Sequence, residues 1–140
     1  MNTLKVKIWR GAESGQFQEY EVPRLESQTV LDVVQEAMPI DVTGLVDLSG
    51  SVDGPLLEAL TRGFRTVQRQ LRPDDRLGLV TFNHRIHEVL PLGPASAGDV
   101  SLERPVGQTS VFDALAVTLV RAPEPGRRRM VMLFTDGLDV

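Results

Sequence analysis

The chain has 140 residues, no cysteine, a net charge of −4, and 41% hydrophobic against 24% charged residues. That leaves room for one ordinary domain with a real core, and the acidic balance argues against a general nucleic-acid binder. The missing thiols exclude disulfides, thiolate zinc sites and cysteine-ligated iron–sulfur clusters.

No apolar run approaches the ~20 residues that a membrane span needs, and the N-terminus carries no apolar signal core. The expectation is therefore a cytoplasmic chain without a membrane span. Residues 4–9, Leu-Lys-Val-Lys-Ile-Trp, alternate apolar and basic with period two, which predicts a half-buried strand. Arg10 to Gln16 reads as a hairpin connection. Phe17 to Val22 alternates again, and pairing would set Glu19 and Glu21 opposite Lys5 and Lys7. Thr29 caps a short predicted helix through Val30, Leu31, Val34 and Ala37, halted by Pro39. Composition shifts here: both lysines, Lys5 and Lys7, precede residue 10, and every later basic residue apart from two histidines is an arginine.

Ile40 to Val46 is the first predicted strand of the main domain, apolar without alternation in its latter half, as a central parallel strand buried on both faces would be. It runs into Asp47-Leu48-Ser49-Gly50-Ser51, where a carboxylate and two hydroxyls gather at i, i+2 and i+4. Asp53 and Pro55 open a predicted helix with Leu56, Leu57, Leu60, Phe64, Val67 and Leu71 on one stripe. Arg62, Arg65, Arg69 and Arg72 lie off that stripe and read as a solvated face. Leu77 to Phe82 is the next strand. Asn83-His84-Arg85 turns it into an antiparallel edge strand over Ile86 to Leu92, with His84 and His87 in turn and edge positions rather than as metal ligands.

Pro91 to Gly107 reads as a long loop ending at Thr109. The main domain's second helix follows, with Phe112, Leu115, Ala116, Leu119 and Val120 as its expected buried stripe, stopped by Pro123 to Gly126. Arg127-Arg128-Arg129 reads as a solvated entrance to a last strand, Met130 to Phe134, which ends in Thr135-Asp136-Gly137. The order strand, helix, strand, edge strand, helix, strand describes part of a doubly wound α/β fold.

Oxygens spaced as in Asp47, Ser49 and Ser51 suit a hard divalent cation, with Thr109 and Asp136 offering the same chemistry on later loops. The alternative is that these hydroxyls only cap the following helices, with Asp113 completing a box after Thr109 or Ser110. An EF-hand reading of Asp47, Ser49, Ser51, Asp53 and Glu58 fails, because Val52 stands where the turn needs glycine and a strand precedes the loop.

Asp-x-Ser-x-Ser at Asp47, Ser49 and Ser51, with Thr109 and the Asp136 of Thr-Asp-Gly, resembles the von Willebrand factor A-type (vWA) domain and its metal-ion-dependent adhesion site. The resemblance covers about Pro39 to Val140. It implies a Rossmann-like, mostly parallel sheet in spatial order 3-2-1-4, with Asp47 and Asp136 emerging side by side. It also implies Mg²⁺ (or Mn²⁺ or Ca²⁺) held by Asp47, Ser49, Ser51, Thr109 and Asp136, and completed by a Glu or Asp of a protein partner. Binding, not catalysis, is the expectation, since no Gly-x-Ser-x-Gly elbow, phosphate loop or histidine base lies in the motif segments. The family pattern continues with further strands, so residues 39–140 are read as a vWA-like domain lacking its last strands and helices. The edge of Met130–Phe134 is then expected to invite self-association.

Lys5-Val-Lys-Ile-Trp-Arg-Gly, Glu19-Tyr-Glu-Val-Pro and Thr29-Val-Leu-Asp-Val-Val resemble the N-terminus of succinate dehydrogenase or fumarate reductase iron–sulfur subunits. The resemblance implies that residues 1–38 form a ferredoxin-like hairpin and helix. The cluster cysteines that should follow are absent, so electron transfer does not carry over. The alternative reading of the whole is therefore a chimeric or truncated fragment of such a subunit, joined near Gln35–Pro39.

Overall fold

The structure is a computed structural model describing residues 2–11, 13–52, 54–96, 100–122 and 124–136. The expectations attached to Asp53, Pro123 and Gly137 lie outside the described residues. Two strands, β1 (Thr3–Gly11) and β2 (Gly15–Pro23), pair antiparallel with Lys5 opposite Glu21 and Lys7 opposite Glu19. The Lys7–Glu19 ion pair closes to 2.9 Å on the exposed face, where such a pair contributes under about 1 kcal/mol. The ladder extends further into the expected connection than the residue types suggest. Arg10 pairs with Gln16, donates from Nε to the Tyr20 hydroxyl at 3.0 Å, and stacks over the Tyr20 ring. Trp9 and Phe17 meet edge to face with centroids 5.2 Å apart, the preferred geometry for aromatic quadrupoles.

Helix α1 (Val30–Ala37) starts on a complete capping box: Thr29 Oγ1 accepts from the Asp32 amide while the Asp32 carboxylate accepts from the Thr29 amide. The segment after α1 is anchored by arginine. Arg72 donates to the carbonyls of Glu36 and Met38 at 2.8 and 2.9 Å, so it belongs to this junction and not to a solvated helix face.

The remaining strands are β3 (Ile40–Asp47), β4 (Arg76–Phe82), β5 (Ile86–Pro94) and β6 (Arg128–Phe134), separated by α2 (Pro55–Gln70) and α3 (Val111–Val120). They form one sheet in the order β5-β4-β3-β6, with β3 parallel to both β4 and β6 and β5 antiparallel on the edge. The fold is α/β with a mixed, mostly parallel sheet, in the spatial order expected. β5 runs two residues beyond the expected Leu92, because Gly93 and Pro94 stay in register with Leu77 and Arg76.

Alternation along β3 sends Val42 and Val46 to the α2 side, where they pack with Phe64, Leu77 and Leu79. Gly44 lies between them, and a Cβ there would stand 3.1 Å from the Phe64 ring. Close approach of helix to sheet, rather than backbone freedom, requires the glycine. Leu45 faces the other side with Val80, Phe82 and Ala114 of α3.

The expected buried stripe of α3 is wrong. Ala114 and Thr118 are the buried residues, with Val111 and Leu115 packed beside Ala114, whereas Phe112 is 77% and Val120 83% exposed. The helix is apolar almost all round, so a helical period can be read along either face and does not select one. The side with the small residue allows the closest approach to the sheet. Thr118 is tolerated there because its hydroxyl donates to the Ala114 carbonyl at 2.8 Å.

The triple arginine is not a solvated entrance either. Arg127 Nε donates to Asp41 Oδ1 at 2.6 Å, the Arg128 amide donates to the Pro39 carbonyl, and Arg129 binds the last carbonyls of α3 at Thr118, Leu119 and Arg121. Arg76 Nε reaches the same Asp41 oxygen at 2.8 Å, so two guanidiniums converge on one buried carboxylate at the amino end of the parallel strands. Asp75 is likewise buried and accepts from the amides of Ile40 and Arg72 at 2.8 and 2.7 Å.

Burial opposes ionisation of Asp41 and Asp75, but these hydrogen bonds outweigh it and hold both carboxyls below their ordinary value of 3.8. A carboxyl whose folded pKa is depressed binds its proton more readily when unfolded. Its stabilisation is therefore complete above 3.8 and is lost as pH falls through the lower folded values. The expected result is a urea midpoint that holds steady at neutral pH and drops steeply below about pH 4, and that flattens in Asp75→Asn.

Among the described residues no helix is long and apolar enough to cross a membrane.

Candidate functional site

Strand β3 ends at Asp47, whose side chain is fully buried at 0% exposure. The chain then turns sharply. The Ser49 amide donates back to Asp47 Oδ1 at 2.8 Å, and this Asx-type contact brings the Ser49 side chain round to the end of the strand. Ser49 Oγ and Ser51 Oγ lie 3.1 Å apart, the first buried and the second exposed. Three of the predicted residues thus form one step from a dry carboxylate to a solvent-facing hydroxyl.

The loop carrying Thr109 is stitched to this turn through the backbone. The Leu48 carbonyl accepts from the Val106 amide and the Gly50 amide donates to the Gly107 carbonyl, each at 2.9 Å. Gly107 has φ +79°, and a Cβ there would stand 2.6 Å from His84 Nδ1, so glycine is required on both counts. His84 therefore packs on the Thr109 loop from the β4–β5 turn. The stitching places the Thr109 hydroxyl 3.4 Å from Asp47 Oδ2, and Thr109 is only 7% exposed.

The capping alternative finds no support in the geometry. Helix α3 has Ser110 as its N-cap with no side-chain cap bond, and α2 starts after Gly54, also without one. The Thr109 hydroxyl points to Asp47 instead.

Strand β6 delivers the last segment. Its parallel register pairs Val46 with Phe134, which sets Thr135 level with Asp47. The alternation that puts Val131 on the α3 side and Met132 and Phe134 on the α2 side continues to Thr135. The Thr135 hydroxyl accordingly donates to Asp47 Oδ2 at 2.8 Å. Asp136 follows, half-buried, one residue beyond the position beside Asp47. The residue in direct contact with the buried carboxylate is thus Thr135, which sequence reasoning used only as part of a motif. The signal that could have found it is parity: a residue two beyond Leu133 shares its side of the strand.

The set fits a hard cation by donor chemistry: one carboxylate and three neutral hydroxyls at one place, with a second carboxylate following Thr135. Among the described residues no three His, Cys, Asp or Glu side chains cluster in a way that could hold a metal ion, so a metal here would depend on the hydroxyls.

No family model matches the sequence. An uncharacterised protein of Synechocystis sp., sll0103, is 28% identical over 107 residues, a match covering 71% of this chain and 26% of that protein. The ArnB paralog VWA2 of Sulfolobus acidocaldarius superposes with a TM-score of 0.61 at 17% identity, covering 73% of this chain and 28% of that one. The vWF domain of the type V pili tip protein Mfa5 of Porphyromonas gingivalis superposes with a TM-score of 0.58 at 22% identity, covering 73% and 39%. The chain thus spans well under half the length of the proteins it matches. Its fold is vWA-like.

Proposed function

We propose that the chain is a protein-binding module that holds a divalent cation, Mg²⁺ (or Mn²⁺ or Ca²⁺), on Asp47, Ser49, Ser51, Thr109 and Asp136. The observation that carries the reading is the meeting at one buried carboxylate of the Asp47–Ser51 turn, with its paired Ser49 and Ser51 hydroxyls, and the Thr109 hydroxyl, from two stretches far apart in the chain. The vWA-like fold adds support, because it sets the cluster at the carboxyl ends of parallel strands, where ligands of open α/β sheets bind.

Asp47 and Asp136 supply the negative charge, and the three hydroxyls are neutral. A bound cation would supply an electrophilic position for an incoming carboxylate. The exposed Ser51 side is the approach for a Glu or Asp of a protein partner, and the buried Asp47 holds the opposite side rigid. The reading is one of binding rather than turnover. The hairpin of β1 and β2 is assigned no electron-transfer role, because the sequence has no cysteine to hold a cluster.

The test is capture of protein partners on the immobilised chain in Mg²⁺ and in EDTA, beside assays for hydrolysis of generic esters and phosphates. Expected are cation-dependent capture, competition by free acidic peptides, and no hydrolysis. Capture indifferent to EDTA would overturn the metal-dependent part. Mg²⁺-dependent hydrolysis that vanishes in Asp47→Ala would replace binding by catalysis.

A further inference from the structure

Helix α3 lies directly on the sheet in its first half, where Ala114 packs with Leu45, Val80 and Phe82. Toward its C-terminus a cavity of about 600 Å³ opens between Val117, Thr118 and Arg121 of the helix and Thr43, Gly78 and Val80 of the sheet. The space exists because small residues form much of the floor. A side chain at Gly78 would crowd β5: at the register shift between Leu77 and Leu79, the Leu90 carbonyl and Leu92 Cα pass 3.3 Å from where a Cβ would stand. The frame is tied on both sides. Arg129 binds the last carbonyls of α3, and Arg121 bridges to Glu88 of β5 at 3.1 Å.

The lining is divided by chemistry. Ile86, Leu90, Leu92 and Val117 give an apolar side, and Asp41, Arg76, Glu124 and Arg127 give a charged end. Arg76 and Arg127 reach Asp41, Glu124 and the Asp74 carbonyl through Nε and Nη2, so Nη1 of each has no acceptor among the described residues. Around the whole cavity five arginines stand against three carboxylates, an excess that an anion offsets and a cation worsens. Pro94 pairs with Arg76, so the apolar wall starts beside the charged end. From Leu92 back to Ile86 it runs about 20 Å along β5, enough for an extended alkyl chain.

We propose that this cavity binds a small anionic amphiphile, a carboxylate on an unbranched apolar chain, with its head on Nη1 of Arg76 and Arg127 and its chain along Leu92, Leu90 and Ile86. The volume falls within the roughly 300–1,000 Å³ of small-molecule sites, which likewise combine apolar walls with a few convergent polar groups. The cavity shares no residue with the proposed cation site, so binding there is independent of any metal.

Calorimetric titration of the full chain in EDTA tests this with hexanoate, octanoate and decanoate, each kept below its micelle concentration, and with octanol and octylammonium. Expected is a Kd that falls about threefold to fourfold with each added CH₂. Octanol and octylammonium should bind about tenfold or more weaker than octanoate, the loss that goes with hydrogen bonds to a charged group. Val117→Trp places a ring in the cavity from a residue 59% exposed, and should weaken octanoate by tenfold or more at an unchanged melting temperature. Ala122→Phe, on the exposed turn after α3, takes its place if that variant does not fold. Arg127→Lys keeps the charge beside Asp41 and removes one Nη1 donor, and should narrow the preference for octanoate over octanol. A wild type that binds none of the carboxylates overturns the proposal, as does octanol binding equal to octanoate. Undiminished octanoate binding in a folded, filled variant overturns it as well, by placing the ligand elsewhere.

Discussion

Mg²⁺ or Mn²⁺ is expected to raise the melting temperature of the wild-type chain by several degrees, and Asp47→Ala is expected to erase that rise completely. A ligand that binds only the folded state stabilises by RT ln(1 + [L]/Kd), about 2.7 kcal/mol at a hundredfold excess over Kd. For a domain of this size such a change corresponds to several degrees. Asp47 is the carboxylate in contact with the hydroxyl cluster, so without it the proposed set keeps three neutral oxygens and Asp136 alone for charge, too little for a hard cation. The variant has a second, metal-independent effect. The Ser49 amide, on a buried residue, loses its acceptor, and an orphaned buried donor costs about 1–3 kcal/mol. The metal-free melting temperature of Asp47→Ala should therefore lie below that of wild type. Melting curves in EDTA, Mg²⁺ and Mn²⁺ separate the two contributions. An equal metal-dependent shift in wild type and variant would remove Asp47 from the site.

Asp41→Ala is expected to be the more damaging change to stability, with a loss of about 3–5 kcal/mol. Arg76 and Arg127 both end on this carboxylate, and the Asp41 and Arg127 side chains are only 9% and 16% exposed. Truncation leaves Arg127 without its carboxylate beside Arg76, which keeps only the more exposed Glu124 at 2.6 Å. The exposed Lys7–Glu19 pair provides the contrast. Its side chains are 67% and 69% exposed, and its removal should change stability by less than about 1 kcal/mol. Urea unfolding at neutral pH measures both, with the slope compared to confirm that the midpoint alone has moved. Equal small losses in Asp41→Ala and Glu19→Ala would mean that the arginines find water or other carbonyls once Asp41 is gone.

Much of the architecture was legible in the sequence because period and punctuation agreed. The Lys5, Lys7, Glu19 and Glu21 pattern determined the hairpin register. Thr29 marked the start of α1, and the apolar second half of β3 marked a strand covered on both faces. Failure came where local pattern leaves more than one answer. Helix α3 has apolar residues on most of its circumference, so only the fit of Ala114 against Leu45 and Phe82 decides which face turns inward. The arginines of 127–129 look solvated in one dimension because their acceptors, Asp41 and the carbonyls of Pro39 and Thr118, are supplied by other elements. Of the candidate site, the residue types and their spacing were readable. The contact of Thr135 with Asp47 was not, since it depends on the parallel register of β6 beside β3.

Strand β3 carries Asp41 near its first residue and Asp47 at its last, about 20 Å apart along an extended chain. The two carboxylates are answered in opposite ways, one by guanidinium and the other by amide and hydroxyl. Groups so far apart that share no partner act independently. Acid is expected to loosen the foot of this strand through Asp41, and under the proposed cation binding a chelator would act at its tip, so the two treatments address different ends.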